Sequence, residues 1–136
     1  VFDKMLTEEL AHLDRSDVVS RCRAAVLEHL ASGEGTAEET AKQLYMSPRT
    51  LQRKLAEANT TYLQLVDDTR RNLALRYIED PRRSVTDITF SLGFSQPSAF
   101  TRAFKRWTGL SPSDYRLKSR DFGQALEHSP GMARQE

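Results

Sequence analysis

The segment that begins at Thr36 returns in outline at Ser84, and this internal repeat limits what the chain can fold into. At an offset of 48 residues, Thr36 falls on Ser84, Glu39 on Asp87, Leu44 on Leu92 and Met46 on Phe94. One inserted residue around Ser95 and Gln96 raises the offset to 49. Then Pro48 falls on Pro97, Leu51 on Phe100, Gln52 on Thr101, Arg53 on Arg102 and Leu55 on Phe104. Thr36 with Glu39 three residues on has the form of a capping box, which marks a helix start. Ser47 before Pro48 joins a capping hydroxyl to the residue best suited to the first helical position. Each unit therefore reads as a short helix, a tight turn and a second helix opened by proline, the outline of a helix-turn-helix.

The rest of the chain is punctuated into helix-sized pieces, and no segment shows the alternation of a strand. Ser16 can cap a first helix whose apolar face is Val19, Cys22, Val26 and Leu30, with Ser32, Gly33 and Gly35 as its stop. A long helix is expected from about 61 to 79, burying Leu65, Leu73 and Ile78 and ended by Pro81. Pro97 opens a helix that buries Phe100, Phe104 and Trp107 and closes at Gly109. Ser111, Pro112 and Asp114 repeat the start signature for a last helix containing Tyr115. The expected fold is all-α, with about seven helices and two helix-turn-helix subdomains joined by a long linker helix. From about Asp121 the periodicity fades, and a loosely ordered tail is expected.

With the inward face of each second helix assigned, the outward face follows. It holds Arg49, Gln52, Arg53 and Ala56 in the first unit, and Ser98, Thr101, Arg102 and Lys105 in the second. Spacings of three, four and seven residues place each set on one stripe. These side chains suit base edges: arginine can pair bidentately with guanine, glutamine with adenine, and serine or threonine with several partners. Small Ala56 and Ala99 would let a helix approach a groove closely. On one helix alone, such a stripe is no more than a solvated face; two matched stripes favour DNA readout. A linking helix of about 18 residues is about 27 Å long. With its flanking turns it could hold two recognition helices about 34 Å apart, the repeat of B-DNA.

Charge is distributed in keeping with this. The formal net charge is +1, yet residues 47–120 carry 14 Lys and Arg against 7 Asp and Glu. Residues 1–46 carry 5 against 9, and residues 121–136 carry 1 against 3. A basic middle flanked by acidic segments can attract phosphates in a salt-dependent way, although the same pattern also fits a solvated surface.

The stretch from Asp87-Ile88-Thr89-Phe90-Ser91-Leu92-Gly93-Phe94-Ser95, through Ser98-Ala99-Phe100-Thr101-Arg102-Ala103-Phe104-Lys105-Arg106-Trp107-Thr108-Gly109, to Ser111-Pro112-Ser113-Asp114-Tyr115-Arg116 closely resembles the AraC-family signature. Ser47-Pro48-Arg49-Thr50-Leu51-Gln52-Arg53-Lys54-Leu55 resembles that family's first recognition helix. Asp67-Asp68-Thr69-Arg70-Arg71 through Ala74-Leu75-Arg76-Tyr77 is similar to its linker helix. The resemblance covers 18–116.

It implies the DNA-binding half of a bacterial transcription regulator, an activator more often than a repressor, whose N-terminal domain senses a ligand or dimerises. Val1 in place of Met suits a fragment. The implied division is a leader at 1–15, a first helix-turn-helix subdomain at 16–59, a linker helix at 60–80, a second subdomain at 81–120 and a tail at 121–136. Arg49, Gln52, Arg53, Ser98, Thr101 and Arg102 are the implied base-contacting residues. Ser47, Thr50, Ser95, Gln96 and Lys105 are assigned to the DNA backbone. The implied partners are double-stranded promoter DNA of about 20 base pairs, spanning two major grooves, and RNA polymerase. The isolated domain is expected to be monomeric and the full-length protein dimeric, in the cytoplasm at the nucleoid. Two departures stand out. Thr89 occupies a position where the family usually has Ala, and Pro97 with Ser98 replaces longer polar residues, so the first unit should dominate specificity.

Two other function classes compete with this one. An enzyme finds no phosphate-binding Gly loop, zincin motif or nucleophile elbow here. Some DNA alkyltransferases resemble fusions with this type of domain and use reactive cysteines, but Cys22 lies on an apolar helical stripe that suits core packing. A single cysteine rules out an internal disulfide, and His12, His29 and His128 lack metal-ligand spacing, so no metal or cofactor is expected. No apolar run approaches the roughly 18 residues of a membrane span. A helical module that contacts RNA polymerase or another protein, with little base readout, remains the alternative. It fits the apolar stripes equally well but gives no reason for two matched helices with outward arginines.

Overall fold

The structure, a computed structural model, describes the backbone of residues 2–33 and 35–127 and the side chains of residues 8, 17–33 and 35–123. Within the described residues there are seven α-helices and no strand. They are α1 (Phe2–His29), α2 (Ala37–Gln43), α3 (Pro48–Glu57), α4 (Tyr62–Tyr77), α5 (Val85–Ser91), α6 (Pro97–Thr108) and α7 (Pro112–Glu127). The chain divides into two compact units, Val1–Asn72 and Leu73–Glu136, with the division inside α4.

Two expected boundaries differ widely from this, and the linking helix α4 has 16 residues, fewer than the stretch from about 61 to 79 expected of it. The helix start at Ser16 is absent, because α1 runs unbroken through that position from Phe2. The tail expected from Asp121 is helical as far as Glu127, as part of α7. Both segments are rich in residues of good helix propensity, and neither holds a proline. A proline-free run lets a helix propagate from its neighbours through a residue that could have capped it. Residues 128–136, the remainder of the expected tail and the site of His128, lie outside the described residues.

In the first unit, Val18 and Cys22 of α1, Ala41 of α2, Leu44 after it, Leu51 and Leu55 of α3 and Leu65 of α4 form one buried cluster. Val18 takes the inward position expected of Val19, which packs only partly against the cluster. In the second unit, Ile78, Ile88, Leu92, Phe100, Ala103 and Phe104 are buried. Phe104 is the hub of its aromatic contacts, with ring centroids at 5.6 Å from Phe100, 6.3 Å from Trp107 and 5.3 Å from Tyr115. Truncating a ring placed like this typically costs about 3–5 kcal/mol. Leu73 and Trp107 are half-buried rather than fully enclosed.

The buried threonines are all hydrogen-bonded, as burial of a hydroxyl requires. Thr40 Oγ1 donates to the Tyr62 hydroxyl at 3.2 Å, Thr69 Oγ1 to the Leu65 carbonyl at 2.7 Å and Thr89 Oγ1 to the Val85 carbonyl at 2.8 Å. Thr89 therefore fits its packed position by bonding back to its own helix, where the repeat has Ala41.

Candidate nucleic-acid interface

The turn that aims each second helix is built in the same way in the two units. After α2, Met46 N donates to the Ala41 carbonyl at 3.0 Å and Tyr45 N to the Lys42 carbonyl at 3.0 Å. After α5, Phe94 N donates to the Thr89 carbonyl at 3.1 Å and Gly93 N to the Phe90 carbonyl at 3.1 Å. Each acceptor and donor in the second set lies 48 residues beyond its counterpart. The pattern is a Schellman ending, which needs one left-handed residue; Tyr45 supplies it with φ 60° and Gly93 with φ 83°. The apolar residue that follows, Met46 or Phe94, is partly covered in both units.

The entry to the second helix is where the units diverge. Ser47 caps α3: its Oγ accepts from Thr50 N at 3.1 Å and donates to Thr50 Oγ1 at 2.9 Å. The inserted residue puts Gln96 at the corresponding cap of α6, and no side chain bonds there. The first turn of α6 is instead tied by Ala99 N to the Gln96 carbonyl at 3.1 Å. Prolines open both helices, as the sequence indicates. Asn59 (φ 63°) follows α3 and Gly109 (φ 84°) follows α6, each in the left-handed region.

With Leu51 and Leu55 buried, α3 turns Arg49, Gln52, Arg53 and Ala56 to solvent. Ser47, Arg49, Thr50, Gln52, Arg53 and Ala56 line one shallow depression of about 490 Å³, so the expected stripe is a continuous surface. With Phe100 and Phe104 buried, α6 exposes Ser98, Arg102 and Lys105, while Thr101 is half-buried beside them. Ser95 and Gln96 are exposed ahead of α6. Thr50 is half-buried, and the bond it accepts from Ser47 leaves its own hydroxyl hydrogen as the donor.

One neighbour of the stripe was missed in the sequence reading. Arg53 Nη1 donates to Glu57 Oε2 at 3.0 Å, along one turn of α3. The spacing of four residues is a standard helix-surface pairing and could have been read directly. Among the described residues no carboxylate pairs with Arg49 or Arg102 in this way.

Further clamps hold the units in shape. Arg21 donates to the Leu44 carbonyl at 3.3 Å, joining α1 to the first turn. Arg116 of α7 donates through Nε to the Ile78 carbonyl at 2.9 Å and through Nη2 to the Asp80 carbonyl at 3.3 Å. Those carbonyls lie in the turn just past the end of α4, where the Asp80 carbonyl also accepts from Arg83 N at 3.1 Å. Burial pushes the Cys22 thiol above its ordinary pKa, with Arg23 pulling weakly the other way. Cys22 sits in the core of the first unit, a packing role rather than the exposed, electropositive setting of a reactive thiol. No helix among the described residues is long and apolar enough to cross a membrane.

Two units with matched turns, each presenting a polar stripe on a proline-started helix, define a double helix-turn-helix domain. A family model described as a helix-turn-helix domain matches residues 40–118, and the chain belongs to this family, in its AraC-type branch of DNA-binding transcription regulators. The ornithine utilization regulator of Pseudomonas aeruginosa is 46% identical over 79 residues, covering 58% of this chain and 23% of that protein. Among solved structures, a DNA-binding transcriptional dual regulator of Escherichia coli K-12 matches with TM-score 0.72 and 30% identity, covering 76% of this chain and 93% of that one. The DNA-binding domain of AdpA, a global transcriptional factor solved in complex with a target DNA, matches with TM-score 0.65 and 32% identity, over 79% of this chain and 94% of that one. The chain spans about a quarter of the length of the curated relatives it matches.

Proposed function

We propose that this chain is the DNA-reading part of a transcription activator and places α3 and α6 in successive major grooves of a promoter site of about 20 base pairs. The observation that carries the reading is the shared turn: the same hydrogen bonds and the same left-handed position precede two helices whose outward faces hold matched arginines, Arg53 and Arg102. A helical protein-interaction module needs the apolar cores but gives no reason for that duplication.

In this reading Arg49, Gln52 and Arg53 meet base edges from α3, and Ser98, Thr101 and Arg102 from α6. Ser47, Thr50, Ser95, Gln96 and Lys105 hold the phosphates. The half-buried Thr101 and short Ser98 give α6 less reach than α3 has, so α3 carries more of the sequence preference. In this reading the isolated chain binds as a monomer, one unit to each groove. In the full-length regulator, a further domain adds dimerisation or ligand sensing, and RNA polymerase is the partner at the promoter. The protein acts in the cytoplasm, on the nucleoid.

The test uses duplexes that the chain itself selects from a randomised pool. Arg53→Ala and Arg102→Ala should each weaken binding by about 1–3 kcal/mol and flatten the preference at one position. Unchanged affinity and unchanged preference in both variants would show that these helices do not read bases.

A further inference from the structure

Glu57 is poorly placed for helix stability. It is the last residue of α3, where the exposed carbonyls already carry partial negative charge and a carboxylate is disfavoured. Its bond to Arg53 lies in solvent, with the two side chains 46% and 60% exposed, and pairs of that kind add little to folding. Yet it holds the guanidinium of one of the assigned base-reading residues at 3.0 Å.

We propose that Glu57 is a positioning residue that raises the sequence discrimination of Arg53 and lowers its attraction to DNA of any sequence; this rests on the reading of α3 as a groove-facing helix. Two effects act in the same direction. An arginine side chain has many rotamers, and ordering it before binding reduces what is lost when its fork pairs with a base. One N–H faces Glu57, and the remaining donors of the fork stay available for a guanine edge. The fixed carboxylate also offsets part of the positive charge that phosphates would feel, which weakens binding that does not depend on sequence. Arg49 and Arg102, with no such carboxylate among the described residues, combine base contact with unshielded charge. Arg53 would then be the most selective of the three arginines.

The experiment compares the unmodified chain with Glu57→Gln, Glu57→Ala, Arg53→Ala and the Arg53→Ala/Glu57→Ala pair. The probes are a duplex selected by the chain from a random pool and a scrambled duplex of equal length, each over a range of salt. Glu57→Ala should tighten binding to the scrambled duplex on the order of three- to tenfold and shrink the ratio of selected to scrambled affinity. Glu57→Gln, which loses the charge but keeps an acceptor, should tighten scrambled binding similarly and retain more of the ratio. In the Arg53→Ala background, Glu57→Ala should leave the ratio unchanged, and in no background should removing Glu57 lower the thermal midpoint. Equal changes on both duplexes, or the same change in ratio with and without Arg53, would overturn the proposal and make Glu57 a general surface charge. An Arg53→Ala variant with unaltered affinity and preference would instead overturn the groove-facing reading of α3, and the proposal with it.

Discussion

Tyr45 and Gly93 occupy the same left-handed position in two copies of one turn, at φ 60° and φ 83°. Glycine takes this conformation without strain, whereas a side chain bearing Cβ is disfavoured there. The Tyr45 ring is 94% exposed, so it returns little packing energy for the strain. Tyr45→Gly should therefore raise thermal stability by about 0.5–1 kcal/mol, the strain relieved less the extra freedom glycine has in the unfolded chain. Gly93→Ala should lower it by about 1–2 kcal/mol. Thermal denaturation followed by circular dichroism checks both, and loss of stability in Tyr45→Gly would contradict the strain.

Arg116 gives a second prediction. Its guanidinium donates to the carbonyls of Ile78 and Asp80 just past the end of α4. Arg116→Ala should destabilise the second unit by about 1.5–3 kcal/mol, the range for hydrogen bonds from a charged donor. Arg116→Lys should recover only part of this, because a single ammonium lacks the forked geometry. Hydrogen exchange would locate the loss in residues after Leu73, and a uniform loss over the whole chain would contradict it.

Cys22 should be inert. Its thiol is buried and its pKa is raised by desolvation, so alkylating reagents should label it only when the first unit opens. A raised folded-state pKa favours the neutral thiol in the folded chain, so its contribution to stability is present below the ordinary thiol pKa of about 8.5 and is lost as pH rises through the folded value. Labelling should be suppressed at neutral pH and accelerate with denaturant. Rapid labelling of the native chain would contradict the packing role.

Arg102 and Lys105 should separate by their dependence on salt and sequence. Lys105→Ala should weaken binding to every duplex alike and lower the salt slope by about 1. Arg102→Ala should alter preference at one base pair. The same salt and sequence signature from both variants would show that α6 rests on phosphates alone.

Much of this architecture was legible in the sequence because its signals are local. Ser47 before Pro48, Thr36 before Glu39, and glycine at 93 and 109 mark ends through the hydrogen bonds that helix termini require. The offset of 48 then identifies one turn by the other, even though Tyr45 alone gives no sign of a left-handed residue. The run of α1 back to Phe2 was hidden by Ser16, which has the chemistry of a helix cap, although Phe2, Leu6, Leu10 and Leu13 recur at spacings of four and three and could have been counted. The run of α7 on to Glu127 passes Gly123, which reads as a stop. The exchange of Val18 for Val19 reflects a limit of spacing: adjacent residues differ by 100° around a helix, and only packing decides which one faces in. In the stripes, buried Leu51, Leu55, Phe100 and Phe104 settled the outward faces, whereas the pairing of Arg53 with Glu57 calls for attention to charges beside a stripe as well as on it.

One chain that reads DNA through two helices should leave both of them visible in the DNA it selects. The measurement is a titration of the chain, over a range of salt, against a randomised DNA pool, with the retained duplexes sequenced. A split motif should emerge, two boxes about one helical turn apart, with the stronger preference in the box that α3 reads. Retention without any enriched sequence, vanishing at moderate salt, or a single box covering one groove, would contradict it.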